Sequence, residues 1–357
     1  MQVCARKVQV LCAVALVAVA LGMDCPGGDP MGNTNSNQNS NGNDNTSVDR
    51  LFVVNNASGI TSHSNPASNN GNVAPATSLP AGAATDIFQP RSLVVTKMGQ
   101  LIVARQNGGL SIHDDALTAT GNTAADRIVE GAATGLDAPI ALAYDADNDR
   151  LFVGCINATD GILVFEDVSE TSFNGNVAPV RMFNPADRSP SVSTEMTIDA
   201  LHFDSAGRLF VSDSSGVNQN SSRILRYDNP GTASGETTPN GIVTSLSWGG
   251  IEDLFVDDSD HLYVVDDSEE IEVLDDASTL NVVVTPDRTI TLNGSSVALR
   301  GIEVDSQGRG FAADTGNSKI LILLNIASLT GAVDANASIS GANTDVSAPR
   351  HMFIVQE

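Results

Sequence analysis

Residues 204–213 read DSAGRLFVSD, a polar turn through Gly207 that leads into a β-rich run starting at Leu209. Short runs of valine, leucine and phenylalanine that follow Asp and Gly are typical of a β-strand entered from a tight turn. Five other stretches repeat this order of turn and run: 49–54 (DRLFVV), 99–103 (GQLIV), 149–153 (DRLFV), 260–264 (DHLYV) and 308–312 (GRGFA). Six copies about 50 residues apart are typical of a β-propeller, in which each repeat forms one blade.

Each repeat contains enough β-rich runs for a four-stranded blade. The run before the turn is predicted to form the innermost strand, at residues 93–95, 141–144, 201–203, 254–256 and 302–304. The run after the repeated stretch is predicted to form the third strand, at 110–112, 162–165, 224–227, 271–274 and 320–323. We assign to the outermost strand the motif GNVAP at 71–75 and 175–179, and the fragments 126–128 and 286–290. No stretch has an apolar period of 3.6 residues, so essentially no helix is predicted.

The two ends of the chain each supply part of one blade. The first repeat has no innermost strand before Leu51, whereas residues 349–355 (PRHMFIV) align with the innermost run at 90–95 (PRSLVV). The C-terminal strand is therefore expected to complete the blade that the N-terminal strands begin, which leaves no open sheet edge for aggregation. The predicted fold class is all-β: a six-bladed β-propeller over residues 49–357 with N/C-terminal strand closure of one blade, acting as a monomer.

Two of the six copies carry a further motif. Residues 204–213 and 305–314, the latter followed by TGNSKI at 315–320, resemble NHL-type repeats, which have the pattern D-x-x-G-x-L-x-V-x-D followed by S/T-G-N-x-R/K-I. The resemblance implies a six-bladed propeller that serves as a binding platform. Related six-bladed folds, such as the TolB-like propellers, include metal-dependent lactonases and esterases, which hold a divalent cation with Glu, Asn and Asp at the channel.

The N-terminal residues predict export. Arg6 and Lys7 precede an apolar run at 8–21, which has the length of a signal-peptide core and is short for a bilayer span. Residues 1–24 are therefore assigned to a signal peptide, and residues 25–48, rich in Asn, Gly and Ser, to a disordered tether. Cys25 is a candidate for lipidation, although Met23 and Asp24 replace the small residues of a bacterial lipobox. The protein is expected to be secreted, periplasmic or at the cell surface, with membrane contact only through that lipid.

Charge and composition argue against several classes of partner and of catalytic site. The formal net charge of −25 repels nucleic-acid phosphate and anionic lipid, so neither is expected as a partner. Aromatic residues make up only 4% of the chain, which is few for a sugar-stacking groove. The histidines lack metal-ligand spacing, and the sequence has no G-x-S-x-G elbow or phosphate loop. We therefore predict no catalytic residue and no resident cofactor, and expect a protein or small-molecule ligand at the channel face.

The innermost runs also predict which residues surround the mouth of the central channel. Aligning them places six residues at one level of the ring: Arg91, Ile140, Asp199, Glu252, Arg300 and Arg350. The three arginines fall on successive blades and could bind a carboxylate or phosphate. Ion pairs between blades, Glu252 with Arg300 first, are the alternative. Trp248 lies just before Glu252, and we predict a contact site if its indole is exposed and packing if it is buried.

Acidic clusters raise the possibility of calcium. Asp145, Asp147 and Asp149 are spaced like the start of an EF-hand loop, but Arg150 and Ile156 replace its glycine and its last glutamate. A denser patch contains Asp257, Asp258, Asp260, Asp266, Asp267, Glu269 and Glu270, and turn chemistry is the simpler explanation for both. Asp199 and Glu252 are also candidate ligands of a metal-dependent hydrolase, the alternative function. No matching asparagine accompanies them, and three arginines oppose a bound cation.

Overall fold

The computed structural model describes residues 49–356, apart from 57, 157–160, 186–197, 215–221, 267–269 and 295–296. All the described residues belong to one compact unit, Ser47–Glu357. The expected signal peptide, the tether and Cys25 lie outside the described residues. Within them, no helix is long and apolar enough to cross a membrane.

Six small sheets, each built on four antiparallel strands, form the six blades of a β-propeller, which confirms the predicted fold class. From the innermost strand outward, blade 1 consists of Pro349–Val355, Arg50–Asn55, Gly59–Ser64 and Thr77–Pro80. Blade 2 consists of Pro90–Val95, Leu101–Arg105, Leu110–His113 and Arg127–Val129. Blade 3 consists of Pro139–Asp145, Arg150–Cys155, Ile162–Glu166 and Arg181–Pro185.

The second half of the ring repeats this arrangement. Blade 4 consists of Leu201–Phe203, Leu209–Asp213, Arg223–Tyr227 and Gly241–Ser245. Blade 5 consists of Ile251–Val256, Leu262–Asp266, Glu270–Leu274 and Arg288–Leu292. Blade 6 consists of Leu299–Val304, Gly310–Asp314, Lys319–Leu323 and Ala337–Ser340. The helical content of the described residues is limited to 3₁₀ turns at Pro66–Ser68, Pro230–Thr232, Ala277–Thr279 and Ile326–Ser328.

The repeated turn explains why Asp and Gly alternate at one sequence position. Gly99, Gly207 and Gly308 adopt φ of 79°, 77° and 72°, and Asp149 and Asp260 adopt 52° and 66° at the equivalent place. This left-handed conformation is open to glycine and tolerated by Asp, whereas most other side chains clash with the backbone.

The closure of blade 1 is as predicted. Strand Pro349–Val355 pairs antiparallel with Arg50–Asn55, in a register that runs from Arg50 opposite Val355 to Asn55 opposite Pro349. The side chain of Met352 is fully buried in this blade. The two ends of the described chain therefore lie side by side in one sheet.

The hydrophobic core lies between neighbouring blades. Phe52 and Val54 pack towards blade 2 with Leu93 and Val103, whereas Leu51 and Val53 pack towards blade 6, in the cluster that contains Phe311. Because both faces of a blade are covered, its second strand is a continuous apolar run instead of an alternating one. This double coverage is the physical origin of the LFVV-type repeat.

Neighbouring blades are joined at their outer edges. The segment that leads into the outermost strand of one blade also pairs with the outermost strand of the preceding blade. In three blades this connection adds a short parallel strand to the preceding sheet: Gly235–Thr237 on blade 3, Val283–Val284 on blade 4 and Gly331–Val333 on blade 5. Gly175 and Gly71 form single parallel bridges to Val129 and Ile339 at the equivalent places.

The assignment of the GNVAP motif to the outermost strand was wrong. In blades 1 and 3 the outermost strand begins later, at Thr77 and Arg181. The motif instead fastens one blade to the preceding one, since the Asn72 side chain accepts from Asn343 N and the Asn176 side chain accepts from Ala133 N. The fragments at 126–128 and 286–290, by contrast, do enter outermost strands.

Candidate functional site

One cavity contains all six positions that the sequence placed around the channel mouth. It has a volume of about 260 Å³ and is lined by Arg91, Ile140, Ile156, Asp199, Glu252, Arg300, Arg350 and His351. We call it the arginine mouth. It lies where the innermost strands begin: five of the six residues are each the second residue of an innermost strand, and Asp199 lies two residues before Leu201–Phe203.

β-Bulges at this level distinguish the mouth from the rest of the channel. The register between the first two strands shifts between Ile251 and Asp253 and between Leu299 and Gly301, which leaves Glu252 and Arg300 as the extra residues. The innermost strands of blades 1, 2 and 3 shift at the same level. A bulge redirects the side chain of the extra residue, and it accounts for polar groups at the start of otherwise apolar strands.

The backbone that enters these strands is strained in three blades. Gln89, Ala138 and Ala348 adopt left-handed φ values of 45°, 51° and 46°, and each precedes the proline that opens an innermost strand. Such conformations cost non-glycine residues about 1–3 kcal/mol each and are held only by the surrounding structure. Arg91 and Arg350 come one residue after two of these prolines, so this backbone conformation helps to set the direction of their side chains.

Ion pairs occupy part of the arginine mouth. Glu252 Oε1 pairs with Arg300 Nη1, and Glu252 Oε2 lies 3.6 Å from Arg350 Nη2. The interblade pair expected between Glu252 and Arg300 is therefore present. Arg91 differs: its Nε donates to Gln106 Oε1 over 2.7 Å, and within the described part of the chain it forms no ion pair with a carboxylate.

The electrostatics favour an added anion. Burial lowers the pKa of the Arg91 and Arg300 guanidinium groups, and the charge of Arg350 lowers both further. Burial also lowers the pKa of Arg350, while Asp199 acts in the opposite direction on all three. Among the described residues that line the cavity, three guanidinium groups and two carboxylates amount to one net positive formal charge, in a chain whose formal charge is −25.

Trp248 is a packing residue. Its side chain is fully buried in the core cluster that includes Phe210, Ile224 and Ile251, and it does not line the arginine mouth. The indole Nε1–H donates to Glu272 Oε2. The sequence could not decide between contact and packing, because a tryptophan in a Gly-rich loop fits either one.

The acidic residues of both clusters form hydrogen bonds at the turns in which they lie. Asp149 accepts from Ser169 and Tyr144, and Asp260 accepts from Ser278, while Asp257 binds His261 and Tyr263. Asp267 and Glu269 lie outside the described residues. Among those described, no group of three His, Cys, Asp or Glu side chains is placed to hold a metal ion.

A second cavity, which the sequence did not predict, lies towards the other end of the innermost strands. It has a volume of about 350 Å³, and its lining includes His202, Phe255, Glu303, His351 and Phe353. Four of these residues occupy one level of the aligned innermost strands, three positions after the mouth residues. Because alternate residues of a strand face opposite sides, a spacing of three does not predict from the sequence alone that these side chains face the channel.

Comparison with known proteins supports the fold alone. No protein-family model and no curated protein matches the sequence. A crystal structure of a nidogen/laminin complex contains a similar propeller, with a TM-score of 0.56 at 12% identity over 86% of this chain and 98% of that one. A protein of unknown function from Bacteroides caccae is also similar, with a TM-score of 0.54 at 10% identity over 87% of this chain and 100% of that one. At these identities the likeness shows a shared β-propeller fold and no shared activity.

Proposed function

We propose that this chain is an extracytoplasmic, NHL-like propeller that acts as a binding module and recognises a carboxylate- or phosphate-bearing ligand at the arginine mouth. The observation that carries this proposal is Arg91, a half-buried guanidinium with no carboxylate partner among the described residues, in a cavity whose described lining has a net positive formal charge. Planar guanidinium groups suit the paired oxygens of both anions.

The volume of the arginine mouth limits the size of the ligand that it can hold. About 260 Å³ accommodates a small anion or the acidic group of a larger ligand, and it lies just below the usual range for drug-sized ligands. Arg300 and Arg350 share Glu252, so Arg91 is the guanidinium group that is most available to an anion. The alternative, a metal-dependent hydrolase using Asp199 and Glu252, is disfavoured because three guanidinium groups line the same cavity.

We expect Arg91→Gln to weaken anion binding by about tenfold or more, because a hydrogen bond to a charged group is lost. The probe is inorganic phosphate or succinate, whichever the wild-type protein binds more tightly in calorimetric titration. Arg181→Gln removes an arginine from outside the mouth and should leave the affinity unchanged. Equal affinities for wild type and Arg91→Gln, or no saturable binding of either anion, would contradict the proposal.

Export rests on the sequence and has its own test. If residues 1–24 form a signal peptide, the mature protein begins near Cys25, and a lipid adds a mass that Cys25→Ser removes. Mass spectrometry of the N-terminal peptide from the native host distinguishes a lipidated cysteine, a simple cleaved end and an intact leader. The intact leader would contradict the extracytoplasmic assignment.

A further inference from the structure

The second cavity differs from the arginine mouth in charge and chemistry. Its lining includes four acidic residues, Asp257, Asp258, Glu303 and Asp305, and four aromatic ones, Tyr144, Phe203, Phe255 and Phe353. No lysine or arginine is among the described residues that line it. We call it the acidic cavity. Of the described residues, only His351 lines both cavities.

Glu303 is the buried acidic residue of this cavity that has no partner among the described residues. Its side chain is only 8% exposed, it lines the acidic cavity, and within the described residues it accepts no hydrogen bond and forms no ion pair. The carboxylates of Asp305 and Asp257 are already bound, by Arg309 and by His261 and Tyr263 respectively. Asp258 is exposed at the rim. A buried carboxyl group without a partner is unfavourable unless something else supplies a donor.

The groups around Glu303 offer no positive charge of their own. His202 lines the cavity with its ring against Phe255, at a centroid distance of 4.2 Å, and its Nε2 lies 3.2 Å from Val256 O. Burial lowers the pKa of His202 and of His351 to about 4, so both rings are neutral near pH 7. Partly exposed phenylalanine rings attract a cation through their faces.

We propose that the acidic cavity binds an organic ammonium ion, that is, a protonated amine on an apolar body, with Glu303 accepting a hydrogen bond from its N–H. The phenylalanines would cover the apolar body and the carbon atoms next to nitrogen. About 350 Å³ is within the range of small-molecule sites. The inference concerns a different cavity from the proposed anion site, so either can fail without the other.

The test uses 2-phenylethylammonium as the probe and 2-phenylethanol as its neutral counterpart, in calorimetric titrations of the full folded protein. We expect saturable binding of the ammonium ion and at least about tenfold weaker binding of the alcohol. Glu303→Gln should reduce affinity for the ammonium ion by a similar factor. Glu170→Gln removes the same charge from an exposed site and should have no effect, which controls for general attraction by an acidic protein.

The proposal would be overturned by no saturable binding of the ammonium ion, by equal binding of the ammonium ion and the alcohol, or by unchanged affinity in Glu303→Gln. Misfolding is checked by thermal unfolding, because Glu303→Gln removes no hydrogen bond among the described residues and should melt at or above the wild-type temperature. A loss of affinity together with a large drop in melting temperature would also count against the proposal, since it would make Glu303 a structural residue.

Protonation of Glu303 provides a second readout. Burial raises the pKa of Glu303 well above 4.5, and nearby Asp253 raises it further. The other titratable groups that face the cavity are Tyr144, His202, Asp257, Asp258, Asp305 and His351. An ammonium ion favours the ionised form of Glu303, so its affinity should increase as pH rises through the raised pKa. At a pH below that pKa Glu303 is protonated, and binding of the ammonium ion should release its proton. Glu303→Gln should abolish that release, which is measured by titration in buffers of different ionisation enthalpy.

Discussion

Deletion of residues 350–357 is expected to abolish the cooperative thermal unfolding of the propeller and to make the protein aggregate. The deletion removes the strand that pairs with Arg50–Asn55 and the fully buried Met352. Truncating a single buried methionine to alanine costs about 2–5 kcal/mol, and losing the entire strand adds its ladder of hydrogen bonds to that loss. Whole domains are stabilised by only about 5–15 kcal/mol, so the ring should not survive.

A shorter deletion provides the control. Removing only residues 356–357 leaves the strand Pro349–Val355 intact and should preserve the melting temperature within a few degrees. A synthetic peptide of residues 346–357, added to the long truncation, should restore cooperative melting because it supplies the missing strand. Native-like melting of the long truncation without peptide would contradict closure as the source of stability. Circular dichroism and light scattering make these measurements.

Trp248→Ala is expected to destabilise the protein by about 3–5 kcal/mol, the usual cost of emptying a large buried aromatic site. The substitution opens a cavity among Phe210, Ile224 and Ile251 and takes the indole N–H away from Glu272, which is 3% exposed. Chemical denaturation followed by far-ultraviolet circular dichroism measures this loss. A change below about 1 kcal/mol would show that the indole is not part of the core.

Trp248→Phe separates the hydrogen bond from the packing. It keeps most of the apolar volume but leaves Glu272 without the indole donor, at a cost of about 1–3 kcal/mol when the carboxyl group is ionised. Burial already raises the pKa of Glu272, whereas the bonds from Ser247 and Trp248 lower it. Without the indole donor this pKa rises further, so stability should fall more steeply with increasing pH than in the wild type. Below the pKa of the unfolded carboxyl group the extra cost should vanish. Equal losses at low and high pH would assign the effect to packing alone.

The pH dependence of stability gives a similar signature at Glu303. A carboxyl group whose folded pKa is raised binds its proton more tightly in the folded state, so folding stability falls as pH rises from the unfolded pKa to the folded one. We therefore expect Glu303→Gln to unfold at the wild-type temperature below about pH 4 and at a higher temperature near neutral pH. Differential scanning calorimetry at several pH values measures the difference. A constant difference across pH would contradict a raised pKa at Glu303.

The blades could be predicted from the sequence because the signal is local and repeated. A run such as Leu51–Val54 is buried on both faces, so its composition alone marks the second strand of a blade. The closure could be predicted because residues 349–355 repeat the pattern of 90–95. The ring at the mouth could be predicted because its members come at the same place when the innermost runs of the sequence are aligned.

The remaining features depend on contacts that no single repeat contains. The GNVAP motif joins neighbouring blades, and its partners Ala133 and Asn343 lie in other repeats, so its composition suggested only a strand. The acidic cavity escaped prediction for a different reason. A bulge moves the following residues to the other side of the strand, so the inward direction of Arg300 could not be extended to Glu303 without the register that the structure provides.

The pairing of Arg50 with Val355 places the two ends of the described chain next to each other, which makes the protein suited to circular permutation. A short linker from residue 356 to residue 49, with new termini opened between blades 1 and 2, would make blade 1 continuous in sequence. The four antiparallel strands of every blade would then be consecutive in the chain, and the largest sequence separation in the native sheets, that between residues 50 and 355, would disappear. Because folding slows as contacting residues lie further apart in sequence, the permuted protein should refold faster than the natural one and still contain the same six blades.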